Sequence, residues 1–227
     1  MLATGVVGAV EDPWIRWSWI SGHVDVITAA LVQHIQLTLI AVVIGLMIAV
    51  PLGLVAWRSR VFRGPIFSLT GVLYTIPSLA LFSALVPFTG FTILTSEIGL
   101  VSYTLLILIR NIVVGLNSVP DEVREAARGM GYRPFAELVW IDLPLAIPAI
   151  VAGARIATVT TIGLVTVTAL IGEGGLGSLI YDGLLRDFKT PLVVGTVLSV
   201  ALAVAADLGL AGAQRIFTPW SRARQTT

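Results

Sequence analysis

The sequence predicts an all-α integral membrane protein with about five transmembrane helices. Hydrophobic residues make up 56% of the 227 residues, charged residues make up only 12%, and the mean hydropathy is +0.95. A soluble protein cannot bury this much apolar surface in its own core. The apolar residues are also grouped into stretches of about 20, the number of helical residues that crosses a bilayer core of roughly 30 Å. We therefore expect one compact membrane domain and no separate soluble domain.

Five stretches meet this length criterion, and each is predicted to be a membrane-crossing helix. The first ends with Pro51 and Gly53 before Arg58, and a proline inside a membrane helix usually bends the helix rather than ending it. Together the five define a predicted transmembrane domain over residues 33–213. The predicted spans are residues 33–57, 66–88, 98–118, 145–171 and 191–213.

Residues 1–32 precede the first predicted span and lack the basic start of a secretory signal peptide. The acidic residues Glu11 and Asp12 come before three tryptophans at positions 14, 17 and 19. Tryptophan is enriched at the boundary between membrane and water, so this spacing predicts a short helix lying in the headgroup zone. We expect the segment to be an interfacial anchor on the outer side.

Positive charge is distributed unequally between the loops. Loop 58–65, segment 119–144 and tail 214–227 lie on one side of a five-span protein and carry nine arginines. The opposite side carries only three basic residues, at positions 16, 186 and 189. Cytoplasmic loops retain an excess of Lys and Arg. The tail and segment 119–144 are therefore predicted to be cytoplasmic, and the N-terminus is predicted to be outside.

Segment 119–144 carries a consistent set of helix signals. Pro120 suits the first position of a helix, and the two acidic residues that follow it favour the positive end of the helix dipole. Gly129 and Gly131 provide the backbone freedom for a turn, and Pro134 is suited to open a second short helix. These signals predict a helix, a turn and a helix. Amphipathicity alone leaves open whether this hairpin packs on its own bundle or presents a surface to a partner.

The spacing within this segment is more specific than its composition. It reads Glu-Ala-Ala, three residues, Gly, nine residues, Ile, one residue, Leu-Pro, and resembles the signature of the permease subunits of binding-protein-dependent ATP-binding-cassette (ABC) importers. In that family the segment is the coupling helix, which enters a cleft on the ATP-hydrolysing subunit; its glutamate contacts the partner and its glycine makes the turn. The resemblance implies a type I ABC importer permease fold. It assigns coupling to Glu125, Ala126, Ala127, Gly131, Ile141, Leu143 and Pro144.

A wider match, over roughly residues 30 to 190, narrows the resemblance. Segments 73–81 and 171–177, together with Arg110 and Asn111, resemble the permeases of osmoprotectant importers. This implies transport of quaternary ammonium compounds: glycine betaine, choline, carnitine and proline betaine. Members usually carry glutamine in place of Tyr74 and a small residue in place of Glu173, so both positions bear on substrate range. The residues implied in a pathway or gate are Tyr74, Thr75, Pro77, Ser78, Arg110, Asn111 and Glu173.

ATP hydrolysis is expected to belong to another polypeptide. The chain has no G-x-x-x-x-G-K-[ST] sequence, which the phosphate-binding loop of an ATPase requires. Gly172, Gly174 and Gly177 fit G-x-G-x-x-G, but that pattern binds a nucleotide only between a strand and a helix. A turn or a re-entrant element is expected there instead. We therefore expect no catalytic residue, cofactor or metal in this chain, with ATP and Mg²⁺ bound by the partner ATPase.

The resemblance also implies an assembly. Five spans cannot easily enclose a gated pathway, so two permeases, identical or different, are expected above two copies of the ATPase. An extracytoplasmic binding protein would deliver the substrate. The implied location is the bacterial cytoplasmic (inner) membrane, in contact with its lipids, and no nucleic-acid partner is expected.

Charged residues inside predicted spans are costly and start as candidates for functional sites. The depths of Arg155 and Asp207 allow the arginine to reach the aspartate, and the small residues around Asp207 favour a packed helix interface. We predict an ion pair between them, with a substrate contact as the alternative. Aromatic faces attract quaternary ammonium groups. The aromatic residues that either line a pathway or pack the bundle are Tyr74, Phe82, Phe88 and Tyr103.

Other functions are less well supported. The main alternative is the permease of a related methionine-type amino-acid ABC importer, which shares the coupling segment. A secondary transporter would be expected to show internal repeats and an ion-coupling site. An intramembrane enzyme is disfavoured because the sequence has no Cys, no H-E-x-x-H and no G-x-S-x-G, and its two histidines have no partner cluster.

Overall fold

A computed structural model describes residues 13–218, and these residues are mostly helical. Glu11 and Asp12, which precede the tryptophans, lie outside the described residues, and so does the part of the predicted tail after residue 218. A π-helical turn (Leu138–Asp142) precedes α8 and a 3₁₀ turn (Thr168–Ile171) follows it. The helices are α1 (Trp17–Gly22), α2 (Val24–Arg58), α3 (Arg60–Thr75), α4 (Ser78–Thr89), α5 (Ile93–Asn117), α6 (Asp121–Gly129), α7 (Pro134–Glu137), α8 (Leu143–Val167), α9 (Leu176–Leu185) and α10 (Lys189–Phe217).

The described residues contain four helical segments that are long and apolar enough to cross a bilayer, or five if the bent pair α3 and α4 is one span. Three of the four are α2, α5 and α10, and the fourth runs without a break through α7 and α8. This confirms the predicted all-α membrane fold with about five spans. The helices extend further than the predicted spans: α2 already begins at Val24, and α10 reaches Phe217.

The predicted span 66–88 is not one straight helix. Its two parts, α3 and α4, are bent by 96° relative to each other. Ile76 and Pro77 both have extended backbones, with ψ of 128° and 133°. Proline sterically disfavours the helical conformation in the residue before it, which favours a break at Ile76. The hydroxyl of Tyr103, on α5, donates a hydrogen bond to the carbonyl oxygen of Ile76, so the corner is held by a neighbouring helix.

Helix α5 is the centre of the bundle and packs against α2, α3, α4 and α8. Its first half joins a buried apolar cluster with Leu37, Phe82 and Val165, and its second half joins another with Ala49 and Ala146. Because both clusters include residues of α2 and α8, these three helices form one packed unit. The other crossing elements surround it.

The N-terminal segment contains the predicted short helix, α1, followed after His23 by α2. Trp19 stacks on His23 with ring centroids 4.5 Å apart and meets Phe188 edge-on at 5.7 Å. The guanidinium of Arg16 lies 5.2 Å from the centre of the same Phe188 ring. These aromatic contacts fasten the segment to the start of α10.

Candidate functional site

Segment 119–144 forms α6, a turn and the beginning of a long helix. From Pro134 the chain is helical to Ile171, which is 38 residues. At 1.5 Å per residue this helix is roughly 57 Å long, whereas the hydrocarbon core is roughly 30 Å thick. The helix is therefore longer than the membrane is thick, and its first turns, which carry Glu137 and Asp142, are the polar end that projects. The predicted second short helix is thus not separate, because it is the projecting end of a membrane span.

The exposed side of this projection combines a carboxylate with apolar groups. Glu125 and Ala126 are exposed, whereas Ala127 is buried against the bundle. Beyond α6, the side chains of Met130 and Phe135 are 70% and 77% exposed. Large exposed apolar side chains grouped beside a charge are typical of an interaction surface. We call these four exposed residues, Glu125, Ala126, Met130 and Phe135, the coupling surface.

Gly131 ends α6 in a left-handed turn with φ of +87°. The N–H of Tyr132 donates to the carbonyl of Ala127 at 3.1 Å, and the N–H of Gly131 donates to that of Arg128 at 2.9 Å. This pair of bonds is the Schellman motif, which satisfies the last carbonyls of a helix and favours glycine at the left-handed position. The glycine of the sequence signature therefore has a backbone role in this chain.

Replacing Gly131 with alanine is expected to destabilise the turn by roughly 1 to 2 kcal/mol, because left-handed backbone is unfavourable for L-residues. Gly129→Ala is the matched control, since Gly129 lies in α6 itself. At both positions an added Cβ would meet nothing within 4 Å, so the two substitutions differ in backbone conformation alone. We expect Gly131→Ala to lower the melting temperature of the purified subunit and Gly129→Ala to leave it unchanged or higher. Equal effects would contradict a role for the left-handed turn.

Arg124 fixes α6 to three other parts of the bundle. Its Nε donates to Oδ1 of Asp142 at 2.8 Å, and its Nη2 donates to the carbonyl oxygen of Leu116 at 2.6 Å. The guanidinium also lies 5.5 Å from the ring centre of Trp57, at the end of α2. The Asp142 side chain is only 2% exposed, so this ion pair is largely buried. One side chain thus joins the hairpin to the C-terminal ends of α2 and α5 and to the π-turn before α8.

A second arginine closes the hairpin on itself. Nε and Nη2 of Arg128 donate to the two carboxylate oxygens of Glu137 at 2.9 and 2.8 Å. The hydrogen bonds and the charge of Glu137 raise the pKa of the Arg128 guanidinium. Paired bonds of this kind fix orientation as well as distance. The sequence signature did not point to these partners, and the only available signal was the presence of acids and arginines in one short polar segment.

The last three residues of the signature are not part of the coupling surface. Ile141, Leu143 and Pro144 are all half-buried at the π-turn and the first turn of α8. The N–H of Leu143 bonds to the carbonyl of Leu138, five residues earlier. A π-turn of this type commonly marks a functional position in a helix. These residues shape the exit of the helix toward the membrane, whereas Glu125 and Ala126 face outward.

Four of the seven residues implied in the pathway lie at the corner between α3 and α4. Tyr74 is 39% exposed, and its ring meets that of Tyr103 edge-on with centroids 5.9 Å apart. Thr75 and Pro77 are exposed and Ser78 is half-buried. Pro77 offers no side-chain cap to α4, so the N–H groups of the first turn are open to water or to a partner. This corner is therefore a polar feature of the membrane region.

The other predicted pathway residues have different surroundings. Arg110 is exposed on α5. Its neighbour Asn111 donates to the carbonyl of Ile107 at 2.8 Å and packs on Gly153, where an added Cβ would lie 2.4 Å from the Asn111 Cβ. Asn111 therefore has a packing role in this structure. Of the aromatic candidates, Phe82 is buried in the core at 1% exposure, which excludes it from lining an open pathway in this conformation.

Glu173 is held by a residue that the sequence did not single out. Nε2 of Gln33 donates to the Glu173 carboxylate at 2.7 Å, and Oε1 of Gln33 accepts from the N–H of Gly175 at 3.1 Å. Thr168 donates to the carbonyl oxygen of Glu173. The loop between α8 and α9 is thereby tied to α2. No local sequence signal identifies Gln33, because it is 140 residues from Glu173.

The structure brings Arg155 and Asp207 together, as an ion pair between α8 and α10. Nε and Nη2 of the arginine donate to the two carboxylate oxygens at 2.9 and 3.0 Å. Gln214 adds a donor to the carbonyl of Pro148 at 3.0 Å, which strengthens the same helix contact. The two parallel hydrogen bonds make this a bidentate ion pair that joins α8 to α10.

Residues 41–219 match the family described as binding-protein-dependent transport system inner membrane component. The chain is 36% identical over 187 residues to the choline transport system permease protein OpuBB of Bacillus subtilis, covering 82% of this chain and 86% of that protein. It is 34% identical over 187 residues to the glycine betaine/carnitine/choline transport system permease protein OpuCB of the same organism, with the same coverage.

The fold is similar to a chain of the MetNI methionine ABC transporter in an inward-facing conformation. The TM-score is 0.75 at 22% sequence identity, covering 82% of this chain and 93% of that chain. This confirms the type I ABC importer permease fold that the resemblance implied. With the family match over most of its length, the chain belongs to the inner membrane components of binding-protein-dependent transport systems.

Proposed function

We propose that this permease carries quaternary ammonium osmoprotectants across the membrane in an ATP-driven importer. The observation that carries the proposal is the 34 to 36% identity, over 82% of the chain, to permeases named for choline and for glycine betaine, carnitine and choline. The likeness to the methionine transporter supports the fold alone, because the identity is only 22%. An osmoprotectant is therefore favoured over methionine.

The coupling surface is proposed to enter the ATP-hydrolysing subunit. Glu125 supplies a charge for the partner, and Met130 and Phe135 supply apolar area that is exposed in the isolated chain. Binding of ATP would draw two such surfaces together and rock two permeases as rigid bodies. Two ATPase copies, a second identical or homologous permease and an extracytoplasmic binding protein complete the proposed assembly.

Arg124 and Arg128 are proposed to carry this motion into the membrane. Arg128 holds the turn to α7, and Arg124 ties α6 to Leu116 at the end of α5 and to Asp142 before α8. Charge-assisted bonds of this kind resist separation, so α6 moves together with the helices that it is tied to. A push on the coupling surface would thus displace α5 and α8, the two helices that carry Arg110 and Arg155.

The proposed orientation places the coupling surface in the cytoplasm and the N-terminus outside. The unequal distribution of arginines supports this orientation. The projection of the Pro134–Ile171 helix beyond a bilayer thickness supports it as well, because the projecting end is preceded by α6 and the turn, which together carry Arg124, Arg128 and Arg133. The location would be the bacterial cytoplasmic membrane.

Reconstitution of the permease in liposomes with its ATPase and binding protein tests the proposal. We expect choline, glycine betaine or carnitine to stimulate ATP hydrolysis and to accumulate in the lumen when ATP is supplied on the coupling-surface side. Methionine is the matched control substrate and should do neither. Stimulation by methionine alone, or accumulation without ATP, would refute the proposed function.

A further inference from the structure

The two arginines inside the membrane region have opposite surroundings. Arg155 is neutralised by a two-bond contact with Asp207. Arg110 is exposed on α5, and within residues 13–218 no carboxylate lies within 4 Å of it. Arg110 is seven residues from the end of α5 at Asn117, which is roughly 10 Å along the helix axis. Arg155 therefore has a structural partner, whereas Arg110 has a free charge at membrane depth.

An exposed arginine at this depth is unfavourable against lipid. Placing one near the centre of a membrane helix costs roughly 2.5 to 3.5 kcal/mol on insertion scales, and charged residues within membranes almost always face a water-filled cavity or another protein group. The strip of α5 that carries Arg110 also carries Val114 and Asn117, both exposed. We infer that this strip faces the hydrated pathway of the assembled importer.

An aromatic pair lies further out on the same side of α5. Tyr103 precedes Arg110 by seven residues, so both lie on one face of the helix, about 10 Å apart along its axis. Tyr103 is buried and holds the ring of Tyr74 edge-on at 5.9 Å, which leaves Tyr74 partly exposed. Long side chains in a helix generally lean toward its N-terminus, and Tyr103 lies on that side of Arg110.

We propose that Tyr74 and Arg110 form a transient subsite for zwitterions that carry a quaternary ammonium at one end and a carboxylate at the other. The aromatic face of Tyr74 attracts the ammonium group, which has no N–H and cannot form hydrogen bonds. The guanidinium of Arg110 binds the carboxylate through paired hydrogen bonds. This inference rests on the proposed function and refines it. Betaine-type and carnitine-type substrates use both groups, whereas choline, which has no carboxylate, uses only the aromatic one.

The test compares glycine betaine and choline uptake by the full complex in liposomes, with the binding protein saturated by each substrate. Arg110→Gln is expected to lower glycine betaine uptake relative to choline uptake by at least about tenfold, since a hydrogen bond to a charged group contributes this much. Tyr74→Leu should lower the uptake of both substrates, and Tyr74→Phe should preserve both. Arg155→Gln is the matched control, because it removes the other membrane arginine and should leave the uptake ratio unchanged.

The outcomes separate this inference from the proposed function. An unchanged uptake ratio in Arg110→Gln, or an equal loss of both substrates, overturns the subsite. Choline uptake in the Arg110→Gln variant reports whether the complex is folded. If it is not folded, Arg110→Lys replaces it, because lysine keeps the charge but not the paired bonds. This variant must then lower the ratio of glycine betaine uptake to choline uptake by a smaller factor than the roughly tenfold expected for Arg110→Gln. Failure of the unmodified complex to take up either substrate would instead refute the proposed function itself.

Discussion

Replacing Glu125 with arginine is expected to abolish transport while the subunit remains folded in the membrane. The side chain is exposed and lies on the face of α6 opposite the buried Ala127, so no contact within the bundle is lost. A charge reversal at a docking surface, by contrast, juxtaposes like charges and costs several kcal/mol of binding. Uptake and substrate-stimulated ATP hydrolysis should both fall to background.

Arg60→Glu provides the matched charge reversal for this experiment. Arg60 is exposed at the first position of α3, outside the coupling surface, and an acid is favourable at a helix start. We expect this variant to retain uptake near that of the unmodified complex. Substrate-stimulated ATP hydrolysis at the normal level in Glu125→Arg would contradict the coupling role of Glu125.

Replacing Arg124 with alanine is expected to destabilise the subunit by about 3 to 5 kcal/mol, because it leaves the buried carboxylate of Asp142 without its partner. The variant also loses the bond to Leu116 and the contact with Trp57. Asp121→Ala is the matched control, since Asp121 contacts the same arginine from a side chain that is 89% exposed. An exposed pair of this kind contributes about 0.2 to 1 kcal/mol. Thermal unfolding of the purified subunit in detergent measures both effects.

A double substitution separates stability from coupling. Arg124→Leu combined with Asp142→Leu removes both charges, and replacing a buried pair with apolar residues is often neutral for stability. We expect the melting temperature to recover while substrate-stimulated ATP hydrolysis stays low, since the tie between α6 and the membrane helices is still missing. Recovery of coupling in the double variant would show that Arg124 only stabilises the fold.

The number and approximate positions of the spans follow from the sequence because bilayer thickness sets the length of each apolar stretch. The break at Pro77 does not. Pro51, Pro65, Pro87 and Pro148 lie inside helices without ending them. What distinguishes Pro77 is a tertiary contact, since Tyr103 takes the carbonyl of the preceding residue. Local sequence does not record that contact, so the sequence predicts a span over residues 66–88 but not the 96° bend within it.

In the candidate site, too, features set by neighbouring residues are predictable, whereas contacts between residues far apart in the chain are not. Gly131 was predictable as a turn residue because the Schellman motif is formed by residues within one helix end. Arg124 pairs with Asp142, 18 residues away in the chain, and Gln33 pairs with Glu173, 140 residues away. Neither charge pattern nor periodicity identifies these partners. The signature therefore pointed to segment 119–144, and the structure was needed to show how this segment is tied to the bundle.

The corner between α3 and α4 affects how stable a single copy of the subunit is after insertion into the membrane. A membrane segment whose backbone leaves the helix is tolerated only where protein or water covers it, and the uncapped first turn of α4 is such a place. A newly inserted, solitary copy would present that turn to lipid. This state is unfavourable, so pairing with the proposed second permease should follow insertion promptly, and copies that do not pair should be preferred substrates for membrane proteases.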